Sequence, residues 1–261
     1  MEEQLRRQYL EAMGIQAWVQ RGTAGEQPVV PEAEVQPVSP APDAAAVVDS
    51  SQETGRRSPE KHPESCSPET LGDVASLGWE GLQARVAGCT ACPLHATRTQ
   101  TVFGVGNREA ELMVIGEAPG ADEDRQGEPF VGRAGQLLNA MLQAIGLQRE
   151  AVYIANILKC RPPGNRDPLP EEVTHCEPFL LRQIELVRPR VILAVGRVAA
   201  QNLLHTAETV GKLRGHTHRL GEAGIPVVVT YHPAYLLRSP DQKGKAWQDL
   251  LTAVRILKGS S

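Results

Sequence analysis

Five residues spread over 116 positions have the types that base chemistry needs. Glu117 and Glu123 lie in "GEAPGADEDRQGEPFVG", Phe130 closes that stretch, Asn156 interrupts an apolar run, and His232 opens "HPAYLLR". The glycine-rich stretch starts like a phosphate loop but matches neither G-x-G-x-x-G nor G-x-x-x-x-G-K-[ST], and its acids would repel a phosphate. It reads better as a tight turn presenting a carboxylate. Phe130 is one of three phenylalanines in the chain. Among glycines and polar residues it is either a small-core plug or a stacking surface for a flat ligand. Asn156 must satisfy one acceptor and two donors. It either bonds backbone or reads a base edge with paired hydrogen bonds. His232, extended before Pro233, is either structural or a donor aimed into a crevice. Leu236, Leu237 and Arg238 follow; the leucines could wedge into a nucleic-acid stack or pack under the fold.

Four cysteines form a second constellation, Cys89-x2-Cys92 and Cys160-x15-Cys176. A C-x2-C pair places two thiolates on one turn, and a second pair folding back onto it completes a four-thiolate site. Buried apolar filling is the alternative for Cys160 and Cys176. The spacing does not separate zinc from an iron–sulfur cluster, and His95 and His175 are substitute ligands. Cys66 reads as an incidental thiol.

These residues need elements to position them. Four short apolar runs read as buried strands: 111–116, 152–158, 190–195 and 226–230. Helical patterns follow at 134–145, 170–185, 197–204 and 246–257. Strand–helix alternation with continuous apolar strands indicates a parallel sheet covered on both faces. Ligands bind beyond the C-terminal ends of such strands. Glu117, Asn156 to Cys160 and His232 all fall at those ends.

Composition divides the chain near residue 75. Residues 1–75 hold 6 Lys+Arg against 13 Asp+Glu, whereas the whole chain has 27 against 31. The body is therefore mildly basic behind an acidic arm, which alone is weak support for nucleic-acid binding. Residues 1–20 read as a short amphipathic helix. Residues 21–75 are Pro-, Ala- and Glu-rich without apolar periodicity, the pattern of a disordered linker. No apolar run reaches membrane-spanning length and no signal core is apparent, so a cytoplasmic location with reduced cysteines is expected.

"GEAPGADED", "GEPFVGRAGQLLN", "YIANILKCRPPGNRDP" and "HPAYLL", with the four cysteines, resemble the family 4 (iron–sulfur) uracil-DNA glycosylases over roughly residues 78–258. The resemblance implies an α/β fold, a three-layer α/β/α sandwich around a four-stranded parallel sheet. It implies a [4Fe–4S] cluster on Cys89, Cys92, Cys160 and Cys176, without a redox role in the cleavage. It implies that Phe130 stacks on flipped-out uracil and Asn156 bonds the uracil edge. His232 would donate toward the uracil O2 region, Glu117 would position the attacking water, and Glu123 would crowd a thymine methyl. Base flipping costs a few kcal/mol, and phosphate contacts must offset it. Arg133, Lys159, Arg161, Asn165, Arg166 and Arg238 are the candidates, with Leu236 as a wedge. Uracil-containing DNA, single- or double-stranded, would be the substrate of a monomeric enzyme. Some relatives carry a basic, His-containing insertion after the strand-two Asn and trap DNA covalently. "NILKCRPPGNRDPLPEE" has none, so ordinary hydrolytic turnover is expected. Separately, "YLEAMGIQAWVQR" is similar to the N-terminal peptide of the clamp-loader psi subunit, which implies a chi-like replication partner for residues 1–20.

Overall fold

The computed structural model describes residues 74–259, together with Glu11, which is helical and exposed. The rest of the expected docking helix over 1–20, the expected linker over 21–75 up to residue 73, and Cys66 lie outside the described residues. The linker's expected end is corrected, since Val74–Ser76 forms a short 3-10 turn with Val74 buried against the core. The described strands are β1 (Val105–Gly106), β2 (Leu112–Gly116), β3 (Tyr153–Asn156), β4 (Val191–Val195), β5 (Thr217–Leu220) and β6 (Ile225–Thr230). The described α-helices are α1 (Trp79–Ala87), α2 (Ala121–Gln126), α3 (Arg133–Ala144), α4 (Pro170–Val187), α5 (Arg197–Leu203), α6 (Val210–Leu213), α7 (Pro233–Arg238) and α8 (Lys243–Leu257).

One mixed sheet of six strands runs in the order β1-β3-β2-β4-β6-β5. The four central strands are the four expected ones, and they are parallel. The four-strand count is corrected: β1 and β5 add antiparallel edges. Both escaped notice for a physical reason. β1 has two residues, and β5 reads "THRL" with an exposed–intermediate alternation, so neither makes an apolar run.

The central strands are apolar throughout because both faces are covered. Met113 and Ile115 of β2 join one core with Leu82 and Val86 of α1, and with Phe179 and Ile184 of α4. Leu112 and Val114, one step out of phase, join the other core with Leu138 and Met141 of α3 and Leu250 of α8. Side chains alternate faces along a strand, so a continuous apolar strand means two packed layers. The α/β/α sandwich follows. No helix among the described residues is long and apolar enough to cross a membrane.

Register brings the chemistry together. Gly116 at the end of β2 pairs with Asn156 at the end of β3, and Val195 of β4 pairs with Thr230 of β6. All four chains therefore leave the sheet at one edge, where the candidate residues begin.

Candidate active site

A pocket of about 750 Å³ opens beyond those strand ends. Glu117, Glu123, Phe130, Asn156 and His232 all line it, as do Asn165, Arg166 and Arg238. The rings of Phe130 and His232 lie 5.6 Å apart and 31° from parallel.

Phe130 is 5% exposed and has φ 54°. That left-handed conformation costs a non-glycine residue about 1–2 kcal/mol, so the surroundings must hold it. Three groups do so. Arg149 donates to the carbonyl oxygens of Pro129 and Phe130. Glu123 Oε1 accepts from the backbone N–H groups of Val131 at 3.1 Å and Gly132 at 3.2 Å. Gly135 leaves room for the Phe130 carbonyl, which a β-carbon there would meet at 1.8 Å. Glu123 therefore shapes the loop as well as facing the pocket.

Asn156 is 2% exposed, and its Oδ1 has no hydrogen-bond partner. A buried unpaired carbonyl costs about 1–3 kcal/mol. The backbone-satisfied reading of this side-chain oxygen therefore fails. Beside it, a β-carbon on Gly116 would meet Asn156 Oδ1 at 2.5 Å and the Phe130 ring at 2.7 Å. The glycine lets amide and ring crowd the same strand end.

His232 caps α7. Its Nδ1 accepts the backbone N–H of Ala234 at 3.1 Å, which places the ring proton of the neutral imidazole on Nε2. Burial pulls the imidazole down to about 4, Arg238 adds to this, and Glu123 opposes it. The ring is therefore a neutral Nε2–H donor at neutral pH. Glu117 moves the other way. Burial pushes its carboxyl above the ordinary range, Asp167 adds to the rise, and Arg197 opposes it. Arg197 and Asp167 are themselves an ion pair.

The structure corrects two of the expected DNA contacts. Lys159 is 1% exposed. Its Nζ donates to the Asn156 carbonyl at 2.9 Å and to Gln183 Oε1 at 2.6 Å, so it does not face DNA. Leu236 is fully buried under α7 in the core. The exposed apolar residue beside it is Leu237, 37% exposed, since consecutive helix positions point about 100° apart. Arg133 is exposed at the start of α3, but it and Arg161 are outside the pocket lining. Arg161 donates to Asn165 Oδ1 at 2.7 Å. Arg166 is committed to Glu172 through two bonds of 2.9 and 2.6 Å. Sequence reasoning missed Tyr231, Tyr235 and Arg197 in the lining. The tyrosine rings lie 5.1 Å apart, and their flanking of His232 at −1 and +3 was the available signal.

Cys89, Cys92, Cys160 and Cys176 line one small pocket, with His95 and His175 at its edge. Among the described residues, no three His, Cys, Asp or Glu side chains are grouped so as to hold a single metal ion. Arg98 donates to Cys160 Sγ at 3.0 Å and the Lys159 N–H to Cys176 Sγ at 3.2 Å. Burial pushes the Cys92 and Cys160 thiols up and the Cys176 thiol to about 12. Thiolates here need a cationic centre to hold them, and donors to sulfur are the usual surroundings of a ligated cysteine. The donor set fits a four-cysteine cluster.

Residues 103–251 match the Uracil DNA glycosylase superfamily. A type-4 uracil-DNA glycosylase of Archaeoglobus fulgidus is 50% identical over 161 residues, 59% of this chain and 81% of that one. The type-4 enzyme of Thermotoga maritima is 48% identical over 162 residues, 61% and 83% of the two chains. The chain belongs to the type-4 uracil-DNA glycosylases. A type-5 uracil-DNA glycosylase of Pyrobaculum aerophilum is also similar, at 30% identity over 191 residues, 61% of this chain and 84% of that one. The lower identity places the type-4 branch nearer. The matched segment of this type-4 chain carries every described strand and the whole pocket edge.

Proposed function

We propose that the protein excises uracil from DNA by hydrolysis, as the first step of base excision repair. The observation that carries this reading is the neutral His232 Nε2–H donor beside Phe130 and Asn156 at one pocket edge. Uracil leaves the sugar as an anion. A donor aimed at its O2 stabilises the charge that develops, without full proton transfer. Phe130 supplies the stacking face. The unpaired Asn156 Oδ1 accepts the uracil N3–H, and its amide NH2 donates to O4. Cytosine has no N3–H and carries an amino donor in place of O4, so it would leave buried polar groups unpaired. The C1′–N1 bond breaks, water oxygen bonds C1′, and Glu117 orients that water and accepts its proton. Glu123 stands where a thymine methyl would enter.

Cys89, Cys92, Cys160 and Cys176 are proposed to hold a [4Fe–4S] cluster. Four thiolates also suit one zinc ion, and it is the resemblance to the iron–sulfur family 4 enzymes that favours the cluster. The cluster would staple the turn after α1 to the β3 loop and α4, and takes no part in the cleavage. Arg133, Arg161, Arg166, Arg238 and the exposed Leu237 are the remaining candidates for contact with DNA, single- or double-stranded. The enzyme is proposed to act as a cytoplasmic monomer. Residues 1–20 would dock a chi-like replication partner through the 21–73 linker, leaving 74–261 as the catalytic domain. A pull-down with residues 1–25, with and without Trp18→Ala, tests the docking; absence of a Trp-dependent partner rejects it.

A uracil-containing oligonucleotide followed by alkaline cleavage tests the activity. Wild type should leave abasic sites, and Asn156→Ala combined with His232→Ala should not. Undiminished cleavage by that double variant would overturn the roles given to the two residues.

A further inference from the structure

We infer that the buried Lys159–Gln183 pair is a positioning device for Asn156, setting the base-reading amide from behind the pocket. This rests on the uracil-excising reading above.

Lys159 and Gln183 are 1% and 0% exposed. The Lys159 Nζ bridges the Asn156 carbonyl oxygen and Gln183 Oε1, at 2.9 and 2.6 Å. Gln183 then donates its Nε2 to the Phe103 carbonyl at 2.9 Å and to the Tyr153 hydroxyl at 3.1 Å. Tyr153 begins the strand that Asn156 ends. The chain of bonds therefore ties both ends of β3 to α4. It ends on Asn156, whose side-chain oxygen is left unpaired at the pocket.

Burying an ammonium costs several kcal/mol. Lys159 lines the cysteine pocket, where the Cys160 and Cys176 thiolates would offset part of that cost, but its Nζ hydrogen bonds go to Asn156 and Gln183 instead. Packing alone therefore does not explain Lys159. Its position does. Asn156 is the last residue of β3, where the ladder stops constraining the chain. A base-reading amide must be held within about 0.5 Å of its working geometry. A cation fixed by Gln183 holds the Asn156 carbonyl and thereby the backbone that aims the side chain. The Lys159 N–H also reaches Cys176 Sγ at 3.2 Å, so one residue touches both the cysteine site and the base reader.

Lys159→Met, Gln183→Leu and the double variant test the device on a uracil-containing single strand. Iron content and thermal midpoint are measured alongside. The expected result is a tenfold or greater loss in kcat and in affinity for free uracil, with KM for DNA, its salt dependence and iron content preserved, and with the midpoint preserved in Lys159→Met. Gln183→Leu should also lower the midpoint, because it leaves buried polar groups unpaired. The double variant should be no worse than the poorer single one, because residues of one network do not act additively. Gln183→Glu keeps an acceptor for Nζ and should keep most of kcat.

A lower midpoint with unchanged kcat would make the pair structural and overturn the inference. So would a raised KM whose salt slope falls by about one, the mark of a lost phosphate contact. If Lys159→Met does not fold, Gln183→Leu decides, and unchanged kcat there also overturns it. Inactive wild type on uracil DNA would instead overturn the functional reading, while the free-uracil measurement still reports on the pair.

Discussion

Gly135 and Phe130 approach so closely that a β-carbon on the glycine would sit 1.8 Å from the phenylalanine carbonyl oxygen. The first turn of α3 and the strained stacking residue are thus one unit. Backbone cannot yield as a flexible side chain does. Gly135→Ala should therefore cost roughly 1–3 kcal/mol, the usual range for overpacking, and lower kcat on uracil DNA. Gly244→Ala, where nothing lies within 4 Å, should leave kcat and KM unchanged. Thermal melts and single-turnover rates compare them.

His232 titrates at about 4 in the folded protein, against 6.5 ordinarily. The folded state thus binds this proton less well than the unfolded chain. Its contribution to stability is fully present above about pH 6.5 and is lost as the pH falls toward 4. His232→Asn should flatten that part of the stability–pH curve. The kcat/KM, which reports the free enzyme, should fall through this residue only near pH 4. His232→Ala should lower kcat by about 10²–10³, the usual cost of one lost oxyanion donor.

Glu117 has its carboxyl raised by burial, and the mechanism needs it ionised. The acid limb of kcat/KM should therefore lie above the pH range of an ordinary carboxylate, and Glu117→Gln should abolish that limb along with most of the rate. An acid limb that survives in Glu117→Gln would reassign it to another group.

Asn156 Oδ1 is an unpaired buried acceptor, so the free enzyme loses little when it goes. Asn156→Ala should leave the thermal midpoint at or above wild type, while kcat/KM on uracil falls by about 10²-fold or more, in line with sites built to bond a polar group. A clear drop in midpoint would mean that the amide is structural.

Leu236 and Leu237 should separate stability from DNA engagement. Leu236→Ala empties a buried position and should cost about 2–5 kcal/mol. Leu237→Ala should leave the midpoint unchanged and raise KM for duplex more than for single strands.

Replacing any one of Cys89, Cys92, Cys160 or Cys176 by Ala should remove the absorbance near ~400 nm expected of thiolate-bound iron–sulfur centres. A colourless wild type containing stoichiometric zinc would reverse the choice of metal.

The central strands were readable from the sequence because a parallel sheet covered on both faces writes its burial as unbroken apolar runs. So were the strand-end positions of Glu117, Asn156 and His232, since connections follow strands directly. The edge strands were not, because a two-residue strand and an exposed one leave no apolar signature. The loss of Lys159 and Leu236 from the DNA face had a common cause: residue type says what a side chain can bond, but direction belongs to the turn it sits on.

The sequence by itself determined the sheet's core, the chemistry available at its edge and the four thiols. Only the tertiary structure decided that His232 is the Nε2–H tautomer, that the Asn156 oxygen is left unpaired, and that Lys159 turns inward to hold Asn156. The tautomer follows from a local bond, Ala234 N–H to His232 Nδ1, and Lys159 reaches Asn156 three residues away. What buries these groups and turns Lys159 inward, however, are contacts between segments 17 to 80 residues apart, such as Lys159 with Cys176 and Gln183 with Phe103. Hydrogen bonds and burial between such segments come into existence only when the chain is packed, so no local pattern records them.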